Sequence, residues 1–99
     1  MSIFPITPLV RQVQHLILET FDITEQQAED YAAEMVSLAE GWGSPEIAAT
    51  MDWNYQIRNS LGEARKLPWR SQAEREKFEA AQNEKYRAYD AIIRSKYRA

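Results

Sequence analysis

A chain of 99 residues, 44% hydrophobic and 27% charged, specifies one domain spanning 1–99, excludes intrinsic disorder, and leaves little room for a substrate-sized cleft beside a core. No cysteine is present, which excludes disulfides, thiolate metal sites and thiol nucleophiles and suits a reducing cytoplasm. The net charge of −3 hides a division: up to Trp53 one basic residue faces nine acidic ones, whereas from Asn54 onward eleven basic residues face six acidic ones.

The opening MSIFPITPLV carries no positive charge and is broken by Pro5 and Pro8, so no signal peptide is expected, and no apolar run is long enough to span a membrane. Thr7 and Pro8 mark a helix start, after which Leu9, Val10, Val13, Leu16, Ile17 and Phe21 recur at helical spacing over about 8–21. His15 falls on the opposite side with Arg11 and Glu19 and reads as a solvated surface histidine. A capping box of Thr24 and Gln27 starts a second helix ending at Gly41, with Ala28, Tyr31, Ala32, Met35, Val36, Leu38 and Ala39 inward. Its other face is acidic through Glu25, Glu29, Asp30, Glu34 and Glu40. That face is either simply solvated or a mimic of nucleic-acid phosphates presented to a basic protein surface.

Ser44 and Pro45 open a short third helix with Ile47, Ala48 and Met51, and Asp52 caps a fourth from Trp53 to about Lys66 that buries Ile57, Leu61 and Ala64. Leu67-Pro68-Trp69 interrupts the pattern. Ser71 and Glu74 then form another capping box heading a helix through about Tyr97. Phe78, Ala81, Tyr86, Tyr89, Ile92, Ile93 and Tyr97 form its apolar stripe, flanked by Lys77, Lys85, Arg87, Arg94, Lys96 and Arg98. Its tyrosines are expected to edge the core with their hydroxyls in water; stacking on nucleic acid is the alternative. No alternation of period two occurs, so the fold class is all-α, a five-helix bundle.

The chemistry inventory points away from catalysis. Only Gly41, Gly43 and Gly62 are present, so no phosphate-cradling loop exists; no serine sits on a nucleophile elbow, and no acidic residues fall at calcium-loop spacing. A non-enzyme without cofactor, metal or catalytic residues is expected.

A helix-turn-helix needs an apolar pair with alanine at the close contact, a tight turn, and apolar residues three or four apart in the second helix. Ile47-Ala48, Met51, Trp53, Ile57, Leu61 and Ala64 supply that set. The segment Gly41–Ala48 followed by Ile57–Leu67 resembles the helix-turn-helix of transposase-like and phage regulators and of the promoter-binding domain of bacterial sigma factors. Two departures stand out. The Ile47–Ile57 span is one residue short, and Asp52 stands where glycine makes the turn.

The resemblance implies a regulator whose fourth helix enters the DNA major groove, with Asn54, Tyr55, Arg58, Asn59, Arg65 and Lys66 as DNA-binding residues. Facing Ile57 and Leu61 inward turns Tyr55, Arg58, Asn59, Gly62, Glu63 and Lys66 outward. A homodimer through the tyrosine-rich helix would fit such a reader. The alternative is an acidic protein-binding inhibitor, phage-encoded or immunity-type, that uses Glu25, Glu29, Asp30 and Glu34 on a basic partner surface. A third is an assembly protein that polymerises through its oppositely charged halves.

Overall fold

In the computed structural model residues 4–97 are described, and each of the first four helices starts where a side chain takes up a free backbone amide. Thr7 Oγ1 accepts from the Val10 amide at 3.3 Å as Pro8 opens α1 (Pro8–Thr20). Thr24 and Gln27 close a reciprocal capping box at the head of α2 (Glu25–Trp42). Ser44 accepts from Ile47 at the start of α3 (Pro45–Thr50), and Asp52 accepts from Tyr55 at the start of α4 (Trp53–Ile57). The last helix, α5 (Gln72–Tyr97), is preceded by Ser71, whose Oγ accepts from the Glu74 amide at 3.3 Å. No strand forms among the described residues, and the all-helical class read from the sequence holds.

The core lies between α1 and α2. Val10, Val13, Ile17 and Phe21 meet Ala28, Ala32, Ala33 and Val36, and the small alanine side chains let the two helices approach closely. Ala48, Trp53, Ile57 and Leu61 close the open end, with Trp53 Nε1 donating to the Ala48 carbonyl at 2.9 Å. Gly43 rather than Gly41 stops α2; its amide returns to the Ala39 carbonyl, one turn beyond the last buried residue. Ile47, expected as half of the apolar pair, is 54% exposed, and only Ala48 of that pair enters the core.

The fourth helix departs from regular α geometry. Beyond Ile57 the chain widens into a π-helical segment, Arg58–Ala64, and the Arg65 amide reaches back five residues to the Ser60 carbonyl at 3.2 Å. Each wide turn takes in one residue more than an α turn expects. Ile57 and Leu61 remain buried as expected, but Ala64 is exposed, and Gly62, expected outward, lies against the Trp69 ring. A Cβ on Gly62 would stand 2.5 Å from two Trp69 ring carbons, so this close approach requires glycine. The segment ends at Lys66 in the left-handed region, φ 56°, and the Leu67 amide closes onto the Leu61 carbonyl at 2.8 Å.

Trp69 is the joint between the core and α5. The Asp22 amide donates to the Pro68 carbonyl, the Arg70 amide to the Thr20 carbonyl, and the Arg70 guanidinium to the Leu18 and Phe21 carbonyls. So held, the Trp69 ring lies 4.8 Å from Phe21 and 5.2 Å from Phe78, centroid to centroid. Phe78 is the one residue of α5 that becomes buried. From Asn83 to Tyr97 every residue is exposed, and the molecule extends 56 Å in its longest dimension.

Candidate interaction surfaces

Three surfaces decide what the chain can bind: the outer face of α4 and the π segment, the acidic face of α2, and the apolar stripe of α5. The first is already in use. Arg58 Nη2 donates to Glu74 Oε2 at 3.0 Å, Gln82 Nε2 donates to Asn59 Oδ1 at 3.1 Å, and Lys85 Nζ donates to the Tyr55 hydroxyl at 2.7 Å. Glu74, Gln82 and Lys85, with Phe78, form one line along α5 at helical spacing, so α5 lies over the face that the helix-turn-helix reading turned toward DNA. Arg65 is engaged elsewhere, 3.6 Å from Glu34 with its guanidinium over the Tyr31 ring. Of the six side chains expected to contact DNA, Asn54 and Lys66 stand exposed outside these contacts.

These contacts carry electrostatic consequences. Burial pushes the Glu74 carboxyl up, but hydrogen bonds from Arg58 and Lys77 outweigh it and leave the group below its ordinary value. The bond from Lys85, with a second from Asn59, lowers the Tyr55 phenol, and the same bond raises the Lys85 ammonium. The Arg58 side chain is only 23% exposed, which strengthens its pairing with Glu74, and its Nε is buried without a hydrogen-bond partner.

The acidic residues of α2 divide into two groups. Near its start Glu29 pairs with Arg11 at 2.8 Å and Asp30 accepts from Gln26 at 3.1 Å, with Glu25 exposed beside them. Glu34, paired with Arg65, lies about one turn beyond Asp30, on the line that continues as Leu38 and Trp42. There the surface changes character. Trp42 is 87% exposed, Leu38 48% and Ile47 54%. A shallow groove between α2 and α4, lined by Met35, Leu38, Met51 and Trp53, adjoins this patch. Glu40 lies in the last turn of α2 beside Trp42 and Glu46 in the first turn of α3, and sequence reasoning misses Trp42. The signal was present: a tryptophan between two glycines, one helical turn beyond the half-buried Ala39.

The third surface also departs from expectation. Tyr86, Tyr89, Ile92, Ile93 and Tyr97, expected to edge the core, are exposed, because the domain beneath α5 ends near Lys85. His15 sits in water as expected, 3.0 Å from Glu19. Among the described residues no group of three or more potential metal ligands gathers, and no helix is long and apolar enough to cross a membrane. Comparison with known proteins finds no matching family model, no similar curated protein and no similar solved structure.

Proposed function

We propose that the protein is a non-enzymatic regulator that binds a basic surface of a protein partner, in the manner of a small acidic inhibitor, with Trp42 as its anchor. The observation that carries this reading is the exposure of Trp42 beside Leu38 and Ile47 within the half of the chain that has one basic residue against nine acidic ones. Exposed tryptophan is the side chain most often found at the energetic centre of protein interfaces, and a cluster of exposed large apolar groups implies a binding surface. Glu34, Glu40 and Glu46 would steer the encounter, while Trp42 and the Met35–Met51 groove would supply the buried contact.

The acids named from sequence take unequal shares in this reading. Glu34 belongs to the patch, whereas Glu25, Glu29 and Asp30 lie toward the other end of α2 and contribute long-range field. One observation favours DNA instead. Asn54 and Lys66 remain exposed, and Lys85 adds a cation beside Tyr55. A DNA-bound form would have to break or bypass the bonds from α5 to Tyr55, Arg58 and Asn59, which is why the protein partner is preferred.

Titrating the protein with random duplex DNA and with an arginine-rich protein, each across a salt series, separates the two. The proposal expects no DNA complex with a steep salt slope and a complex with the basic protein that Trp42→Ala and Glu34→Lys both weaken. Saturable DNA binding whose salt slope falls by about one unit in Lys66→Ala would support the DNA reading instead.

A further inference from the structure

The stripe left uncovered on α5 has a definite geometry. Positions 79, 82, 86, 89, 93 and 96 follow one another at steps of three, four, three, four and three, the spacing of a coiled-coil seam. They are Glu79, Gln82, Tyr86, Tyr89, Ile93 and Lys96; from Tyr86 onward the seam is uncovered, whereas Gln82 is half-buried where it donates to Asn59 of its own chain and Glu79 holds Arg75 at 3.0 Å. Shallow grooves run along the same face, one lined by Glu63, Phe78, Glu79, Gln82 and Tyr86 and the next by Tyr86, Tyr89 and Ile93. A helical segment with few tertiary contacts is marginal in water on its own, and this one carries three tyrosines and two isoleucines that are 39–79% exposed.

The seam is complementary to itself when reversed. Set antiparallel and centred between 86 and 89, it places Tyr86 against Tyr89 of a second copy, Gln82 against Ile93, and Glu79 against Lys96. In parallel alignment Glu79 would face Glu79 and Lys96 would face Lys96, with repulsion at both ends. The whole helix has the same polarity: residues 72–84 hold four acidic and two basic side chains, and residues 85–97 hold one acidic and four basic. Glu63, on the π segment beside Glu79, adds a second carboxylate where the incoming Lys96 would land. A tip-to-tip pairing of the two distal segments would instead bring basic side chains together.

We infer that α5 pairs with α5 of a second copy of this chain in an antiparallel two-helix seam running from Glu79 to Lys96. The contact is isologous, so it closes at a dimer and does not propagate. Tyr86, Tyr89 and Ile93 on the seam offer on the order of 400 Å² per copy, about half of the roughly 800 Å² per partner of a standard interface, so the dimer is expected to be weak. The acidic face around Trp42 lies on α2 and α3 and takes no part in this seam. A dimer would therefore present two such faces and bind a repeating or oligomeric partner with avidity. Self-association does not depend on the proposed partner, and either can fail without the other.

Sedimentation equilibrium on the full chain, from low micromolar to submillimolar concentration, tests the inference. The wild type should pass from monomer to dimer, and Tyr89→Glu should raise the dissociation constant by roughly tenfold or more with an unchanged melting temperature at low concentration. Glu79→Lys should weaken the dimer, and the double variant Glu79→Lys, Lys96→Glu should restore it, since only the antiparallel register exchanges the two charges. A monomeric wild type throughout, a dimer indifferent to Tyr89→Glu, or a double variant no tighter than Glu79→Lys would each overturn the proposal. So would a monomer that retards duplex DNA through Tyr89, which would assign the stripe to nucleic acid.

Discussion

The two longest helices, α2 and α5, bury their apolar faces to opposite extents. In α2 the faces of Ala28, Ala32, Ala33 and Val36 disappear completely under α1, because α1 runs alongside and offers Val10, Val13, Ile17 and Phe21 at matching spacing. In α5 a stripe of larger side chains meets the domain at Phe78 alone and then runs off its edge. An amphipathic pattern states that a helix has a face to cover, and it does not state whether the same chain supplies the cover. In α2 the cover is a neighbouring element of the chain; for the distal half of α5 we assign it to a second copy.

The largest expected effect lies on the α2 side of this contrast. Leu61 is 1% exposed and closes the end of the α1–α2 core, so Leu61→Ala should cost about 2–5 kcal/mol in urea unfolding through the lost transfer term and the cavity left behind. Next comes the joint. Gly62→Ala drives a methyl group into the Trp69 ring and should cost roughly 1–3 kcal/mol, with a changed near-ultraviolet spectrum as Trp69 shifts from Phe78. Substitution at Lys66 runs the other way: glycine adopts its left-handed backbone without penalty, so Lys66→Gly should stabilise by about 1 kcal/mol in the same assay.

A smaller effect follows acid. The folded Glu74 carboxyl lies below its unfolded value, so its contribution is present above the ordinary carboxylate range and is lost as pH falls through the folded value. The pair with Arg58 is about one-fifth exposed on each side, and the loss on acidification should be no more than about 1 kcal/mol and absent in Glu74→Gln. The smallest effect belongs to the distal half of α5. Ile92→Ser at a concentration where the chain is monomeric should change stability by less than about 0.5 kcal/mol, although the side chain is as large as those of the core. A loss comparable to that of Leu61→Ala would mean that the stripe is covered within the chain, erasing the contrast.

Local chemistry was largely legible in the sequence. Thr7-Pro8, Thr24 with Gln27, Ser44-Pro45 and Asp52 cap helices where their side chains can reach the free amides, a decision made within four residues. Leu61 and Ile57 were placed correctly for the same reason. What escaped is non-local. The π turns after Ile57 accompany the packing of Gly62 beneath Trp69, and Trp69 is fixed by carbonyls of Thr20 and Phe21 far away in the chain. The cover over Arg58 and Asn59 comes from Glu74 and Gln82, at separations of 16 and 23 residues. A helical wheel of the fourth helix contains none of that information, so it turned those residues outward. Trp42 was legible in principle, since it stands between two glycines at the end of the helix, one turn past Leu38.

The central functional claim, that the working surface is the acidic end around Trp42 and not the helix that resembles a DNA reader, is tested most directly by photo-cross-linking in extract of the source cells. Gly41 is exposed, and a side chain built there would meet no atom within 4 Å, so a photoreactive amino acid at that position should leave the fold intact beside Trp42. A second probe at exposed Asn54 reports on the other surface. The account predicts that the Gly41 probe captures one discrete protein with a basic surface, that Trp42→Ala abolishes the capture, and that the Asn54 probe captures no DNA. Capture of DNA from Asn54, with no discrete protein from Gly41, would contradict it.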